Sequence, residues 1–421
     1  MGCPQCGKLG RRKRIRCRKV RSLCYQREAW LEIHYGEYLA NCDCCVTFHS
    51  HPPGVDLKAK YDHKVRQAVI DGILIDKLNL STIQQSMQRD FLLKLSTGYI
   101  YSTLEYAIRQ FDGNDFRQRV LAQFSGTLCI DEIHLGRRVV LLASDPVSDI
   151  PVGCALVSRN DGVHMRRFMQ NLKNRGLEPK TVISDRSPLY PQAIENAWPT
   201  ARHQLCIFHT IADINKFIIG AVRQCGRSLK PKFRKKRRVG KPTRRQQARR
   251  RKEKERKRKA DLLFRKRYLI VSKRSKLVSA EKTVLEQVLA IDPVVKTLRR
   301  FADDIHALFS LRRSKKQAWK IWRRMRRTRK YLDNPALKKA LKMLSKQKME
   351  KLLVYLDQPT EKRKKVRTNN HVERCNRKIR YLEKVRYKWR RQRTIIRHIL
   401  LQFQYWLKQS ETTTKRQPAE I

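Results

Sequence analysis

Three kinds of hydrophobic pattern follow one another along the chain, the second of which returns at the end. Near the start, Trp30-Leu31-Glu32-Ile33-His34 alternates apolar and polar residues, which predicts short strands. Over residues 58–112 the apolar positions Val65, Ala68, Val69, Gly72, Ile73 and Ile75 recur near a helical period. Leu80-Ser81-Thr82-Ile83-Gln84 caps and begins a second helix. Ser96-Thr97 begins a third, through Tyr101, Leu104 and Ile108. Three short helices with tight connections predict a helix-turn-helix unit.

From residue 127 the pattern shortens to apolar runs. Thr127-Leu128-Cys129-Ile130-Asp131, then residues 138–144, 151–157 and 181–185, predict four strands, the first and last ending in Asp131 and Asp185. Asp161 caps a helix carrying Met165, Phe168, Met169 and Leu172, and residues 188–197 form another. Three strands, helix, strand, helix is the order of a mixed α/β sheet with helices on its faces. Residues 262–356 return to helical periodicity, as do residues 395–407. Between them, residues 368–382 make an amphipathic helix. Its inward side is Val372, Cys375, Ile379 and Leu382. Its polar stripe holds Glu373 beside Asn369, Asn370, Asn376 and Arg377.

Charge narrows the partner. Lys+Arg is 98 against Asp+Glu 37, a formal net charge of +61. Such a surface attracts polyanions and releases their counterions, so the expected partner is nucleic acid. No apolar run is long enough for a bilayer, and no apolar segment follows the N-terminus as in a signal peptide, so the expected location is intracellular with no membrane partner. Met1-Gly2-Cys3 begins like a myristoylation signal, but Cys6 stands where that signal wants Ser or Thr. Residues 226–259 are mostly Lys and Arg, interrupted by Pro231, Gly240 and Pro242. The block is expected to stay solvated or unstructured until it meets phosphates, with Arg244, Arg245, Arg249 and Arg250 as DNA contacts.

The 12 cysteines of an intracellular chain point to metal binding or packing rather than disulfides. Cys3-Pro4-Gln5-Cys6-Gly7 has the spacing of a zinc knuckle, and Cys42 and Cys45 repeat it, so residues 1–56 are expected to be a zinc ribbon. Cys17, Cys24, Cys44, His49 and His51 stand as substitute ligands. Cys17 and Cys24 are expected mainly to pack.

Asp131, Asp185 and Glu373 are distant in sequence but meet if the Glu373 helix packs on the sheet. Three carboxylates can hold two divalent cations roughly 3.5–4 Å apart for in-line attack on a phosphodiester. Oxygen ligands favour Mg²⁺ or Mn²⁺. Glu132 is a poor substitute for Asp131, because adjacent strand residues point to opposite faces.

These residues carry a resemblance. Ile130-Asp131-Glu132, Val182-Ile183-Ser184-Asp185-Arg186, Cys206-Ile207-Phe208-His209 and Thr368-Asn369-Asn370 with Glu373 and Asn376 resemble the DDE transposases of bacterial insertion sequences, in the group with an N-terminal zinc ribbon. That family belongs to the RNase H-like, retroviral-integrase superfamily. The resemblance implies an RNase H-like mixed-sheet core with a helical insertion, preceded by a zinc ribbon and a helix-turn-helix domain. The implied boundaries are zinc ribbon 1–56, helix-turn-helix 57–118, first part of the core 119–220, basic and helical insertion 221–362, and C-terminal core helices 363–421. It implies Asp131, Asp185 and Glu373 as catalytic triad and ligands of two Mg²⁺ or Mn²⁺ ions. Cys3, Cys6, Cys42 and Cys45 would hold structural Zn²⁺. Cys206, His209, Asn370 and Asn376 would shape the site. Lys384, Tyr387 and Arg390 resemble a basic-aromatic tail of the same helix, with Lys384 and Arg390 on DNA; Lys388 departs from the small residue relatives often have there.

The implied partners are the element's terminal inverted repeats, target DNA and further copies of this chain in a synaptic complex; the implied location is the bacterial cytoplasm, at the nucleoid. Two other readings compete. One is a catalytically silent, domesticated DNA-binding protein, which the presence of all three carboxylates disfavours. The other is a basic zinc-ribbon RNA-binding protein, against which stand the strand-Asp pattern and the tryptophans of the helical region.

Overall fold

The structure, a computed structural model, describes the chain except residues 231–242, 386–388, 390 and 416–421, and the side chains of 411–415. Tyr387, Lys388 and Arg390 therefore lie outside the described residues, as do Pro231, Gly240 and Pro242.

In chain order the elements begin with β1 (Arg11–Ser22), β2 (Ala29–Leu39) and β3 (Thr47–His49). Helices α1 (His63–Leu74), α2 (Leu80–Phe91), α3 (Thr97–Arg109) and α4 (Gly113–Gln123) follow. Next are β4 (Thr127–Leu135), β5 (Arg138–Asp145), β6 (Ile150–Val157), α5 (Gly162–Asn174), β7 (Thr181–Ser184), α6 (Tyr190–Ala197) and β8 (Arg202–Leu205). Then come α7 (Ile207–Leu229), α8 (Arg244–Lys266), α9 (Ser279–Leu289), α10 (Pro293–Leu308) and α11 (Lys315–Arg327). The chain closes with α12 (Arg329–Leu332), α13 (Pro335–Lys342), α14 (Lys346–Leu352), α15 (Thr360–Val366), α16 (Asn370–Val385) and α17 (Gln392–Lys415).

The chain divides into two compact units. The first comprises residues 1–122, 134–140 and 375–421; the second comprises 123–133 and 141–374. In the first, β1, β2 and β3 form an antiparallel ribbon whose long pair runs from Arg11↔Leu39 to Ser22↔Ala29. Its core is small: Val20, Ile33 and Val55, with Tyr35 against them. Helices α1 to α3 start where the periodicity predicts, each behind a polar cap. Asp62, Asn79 and Ser96 accept from the backbone N–H of Val65, Thr82 and Tyr99. The cap of α2 is thus Asn79, just ahead of the predicted stretch. These helices close on Val65, Val69, Ile73, Ile83 and Ile100, joined by Leu401 of α17.

The second unit carries most of a five-stranded sheet, in the order β6-β5-β4-β7-β8. Strands β4, β7 and β8 run parallel, with Thr127↔Thr181, Leu128↔Val182 and Cys129↔Ile183 in register. Parallel strands are covered on both faces and so read as continuous apolar runs, which is why they are legible in sequence. Helix α5 begins at Asp161, whose side chain accepts from the His164 N–H, and buries Met165, Phe168, Met169 and Leu172 as predicted. Beyond β8 the unit is helical. Gln204 ties the two parts together: its amide donates to Leu352 O at 3.2 Å and accepts from the Tyr355 N–H at 2.7 Å.

Two expectations need correction. The first strand does not end at Asp131 but continues to Leu135. Its polar residues Glu132 and His134 disguise the second half. What ends near Asp131 is the partner, since β7 stops at Ser184. The basic block is also not unstructured where it is described: α8 is a helix of 23 residues. Thr243 and Gln246 form a reciprocal cap, and Arg249–Glu253 and Glu255–Lys259 pair along the helix. Ala260 and Leu263 are buried at its far end. Local hydrogen bonds and one packed end thus outweigh the like-charge repulsion that argued for disorder.

Candidate active site

Parallel register brings the two aspartates level. Cys129 faces Ile183, so Asp131 and Asp185 each stand two residues further along neighbouring strands. Asp185 follows directly on β7, and its carboxylate accepts from the Ser187 N–H at 2.8 Å, fixing the turn. Asp131 feels Asp185 and Glu373 electrostatically, which places all three carboxylates in one neighbourhood. Burial, then the charge of Glu132, then those of Asp185 and Glu373, push the Asp131 carboxyl up to about 8. Among the described residues the three do not form a group closed to within 4.8 Å.

Glu373 lies in the first turn of α16, with its N–H donating to Asn369 O at 3.2 Å. Its Oε1 is shielded from solvent and has no hydrogen-bond partner. The neighbouring ring is that of His209, whose Nε2 lies 3.7 Å away. His209 sits in the first turn of α7, three residues after Cys206, at the end of β8. The Cys206 thiol is buried, and burial pushes it up to about 11 although the N–H groups of His209, Asn369 and Phe208 point at it. A neutral, buried thiol of this kind packs and hydrogen-bonds.

Of the amides, Asn369 is fully buried with neither side-chain atom hydrogen-bonded to protein, whereas Asn370 is exposed. Asn376 is buried further along α16, in the first unit.

Sequence reasoning missed two supports. Glu132 does not compete with Asp131: one oxygen accepts the Tyr190 hydroxyl, from α6, and the other the Asn160 amide at 2.8 Å. Burial, then Glu132, raises the Tyr190 phenol well above its usual range, so it stays a donor. His371 is buried in the first turn of α16. Its Nδ1 meets Ser144 Oγ at 2.8 Å and its Nε2 meets Asp149 Oδ1 at 2.7 Å, pinning the start of that helix to β5 and the following turn. Arg374 donates to the same Asp149 oxygen at 3.0 Å. The sequence sign of this support was a histidine one turn before Cys375, on the inward side of the predicted helix.

In the ribbon, the Cys3, Cys6, Cys42 and Cys44 thiols all lie within 4.8 Å of one another, and Cys45 Sγ is 3.8 Å from Cys3 Sγ. Spacing named Cys45 as fourth member; thiol direction puts Cys44 in the closed group. The N–H groups of Cys6 and Gln5 pull the Cys3 thiol down to about 6, a thiolate at neutral pH. Cys44, bonded to the Cys6 and Cys42 thiols, is pushed up to about 12. Such a cluster of competing thiols suits a cation. Cys17 and Cys24 do not pack: both are exposed. Arg244, Arg245, Arg249, Arg250 and Lys384 are exposed and open to solvent-side partners. Among the described residues no helix is long and apolar enough to cross a membrane.

Comparison with known proteins identifies a family. A family model described as transposase, of the ISL3 type of DDE enzymes, matches residues 128–399. That interval contains all three carboxylates. No curated protein sequence matches. Among solved structures the chain is similar to the Drosophila P element transposase strand transfer complex, at 14% identity, covering 85% of this chain and 92% of that one with a TM-score of 0.38. A likeness at that score adds nothing to the assignment.

Proposed function

Since the chain belongs to the ISL3-type family of DDE transposases, we propose that it binds the ends of its own insertion sequence and catalyses strand cleavage and strand transfer there. The observation that carries this reading is the neighbourhood of Asp131, Asp185 and Glu373, brought together although the helical insertion separates the last two. Residues 119–220 and 363–421 are read as an RNase H-like core around that insertion.

The donor set fits hard divalent cations. Asp131 is charged only against the pull of its neighbours, and Glu373 Oε1 is buried without a hydrogen bond. Asp131, Asp185 and Glu373 would hold Mg²⁺ or Mn²⁺, which supply charge for the attacking and leaving oxygens of a phosphodiester. The protein's own part is positioning. Ser187 fixes Asp185, His371 holds the start of α16, and Tyr190 and Asn160 keep Glu132 from displacing Asp131. His209 faces Glu373 and can donate to a bridging water or phosphate oxygen.

The ribbon thiols fit Zn²⁺, held by Cys3, Cys6, Cys42 and Cys44, with Cys45 the neighbouring alternative. Helices α1 to α3 are read as the reader of the element end, and a second copy of the chain as its partner in synapsis. The exposed arginines of α8 are read as phosphate contacts. The enzyme would act in the bacterial cytoplasm, at the nucleoid.

The test is Glu373→Gln, which keeps size but removes charge. Labelled element ends should be bound as by wild type and left uncut in Mg²⁺ or Mn²⁺. Cleavage at the wild-type rate would move the third ligand elsewhere. Binding without cleavage by the wild-type protein itself would favour the silent, domesticated reading.

A further inference from the structure

We propose that Cys17, Glu32 and His34 form a second zinc site, on the exposed face of the β1–β2 ribbon and separate from the N-terminal thiol cluster. Cross-strand register places Cys17 directly opposite His34. Glu32 lies two residues before His34 on the same strand, hence on the same face. Their donor atoms form a small triangle. Cys17 Sγ to Glu32 Oε1 is 3.2 Å, His34 Nε2 to Glu32 Oε1 is 3.2 Å, and Cys17 Sγ to His34 Nε2 is 3.9 Å. A tetrahedral Zn²⁺, with bonds of about 2.3 Å to sulfur and about 2.0–2.2 Å to nitrogen and oxygen, needs donor edges of roughly 3.3–3.6 Å. The triangle therefore accepts the ion with shifts of a few tenths of an ångström.

The local charges make the arrangement informative. Lys19 faces Glu32 across the register, yet Glu32 bonds to Cys17 and His34. Elsewhere on the same ribbon Glu37 behaves as a carboxylate among arginines should, accepting from Arg14 at 2.7 Å and Arg16 at 2.5 Å. Hydrogen bonds among exposed groups gain little over water, so this trio is not a device for stability. A thiolate and an imidazole together select zinc over magnesium, and three protein donors leave one position for water.

The test uses full-length reduced protein equilibrated at one free zinc concentration. Cys17→Ser and His34→Ala should each hold one zinc fewer per chain than wild type. Cys6→Ser should keep the Cys17-dependent ion. With Co²⁺ as probe, Cys17→Ser should lose part of the thiolate-to-cobalt absorption. Since all three residues are exposed, both variants should melt as wild type does; if either misfolds, the other decides. Zinc content and cobalt spectrum equal to wild type in a folded variant overturn the proposal.

Discussion

The thiols of the ribbon flank a hairpin with almost no core, whereas the carboxylates on β4, directly after β7 and on α16 are held by strands and a helix with buried cores. The ribbon buries Val20, Ile33 and Val55; the sheet buries Leu128, Cys129, Ile130, Val182 and Ile183 completely. A small core cannot hold ligands in place by packing, so a cation bound there would have to supply folding free energy. A large core can hold them, and then the charges it holds are costly. Burial and the neighbouring carboxylates push Asp131 up to about 8, whereas the N–H groups of Cys6 and Gln5 pull Cys3 down to about 6. On the function proposed above, the first site would need its ion to fold, and the second, already folded, would need its ion to become charged.

The strongest way to break this contrast is through catalysis. Asp131→Asn, Asp185→Asn and Glu373→Gln should each lower strand cleavage by several orders of magnitude, and any pair should be little worse than one, because the three act as a unit. Gel-resolved cleavage of a labelled end measures this. Multiplicative losses in the pairs would show separate roles.

Next in size is zinc removal. Cys3→Ser should lower amide exchange protection across residues 11–49 by on the order of 100-fold or more, while leaving residues 127–205 protected. Loss of protection in both regions would refute the division of labour.

The carboxylate half predicts an effect with a definite sign. An unfolded aspartate titrates near 3.9, and folded Asp131 near 8. Between those values the unfolded chain has released a proton that the folded chain keeps, so Asp131 makes stability fall as pH rises from about 4 to about 8. In magnesium-free buffer Asp131→Asn should therefore gain on wild type as pH rises, by on the order of 4 kcal/mol between pH 5 and pH 9, and saturating Mg²⁺ should remove the difference. Thermal melts of the pair at pH 5 and pH 9 check it; a constant difference would count against a buried, neutral Asp131.

The smallest effect concerns α8. Replacing Arg244, Arg245, Arg249 and Arg250 with Gln should weaken binding to element ends and random DNA alike. The salt dependence should flatten by about 0.9 for each phosphate that is no longer neutralised. A loss confined to element ends would make α8 a reader of bases.

Much of this arrangement was legible in the sequence because buried parallel strands write themselves as apolar runs. The aspartates closing those runs, and the carboxylate on a polar stripe above Val372, Cys375 and Ile379, could be picked out one by one. What stayed hidden depends on direction in space. Spacing counts residues between cysteines but not where the Cys44 and Cys45 thiols point. Tyr190 reaches Glu132 from 58 positions away, and His371 reaches Asp149 from 222; no local pattern announces either. The helicity of α8 was in principle readable, from Thr243 with Gln246 and from the spaced Glu253 and Glu255, but the run of positive charge dominated the reading.

The interval between Asp185 and Glu373 also sets a clock. Synthesis proceeds from the N-terminus, and domains form as their residues emerge. The ribbon, the α1–α3 helices, both aspartates and the basic α8 helix all exist before residue 373 is made. On the function proposed above, a prematurely terminated chain can grip DNA but lacks the third carboxylate that cutting requires. The late position of one glutamate would keep half-made protein from nicking the chromosome from which it is being expressed.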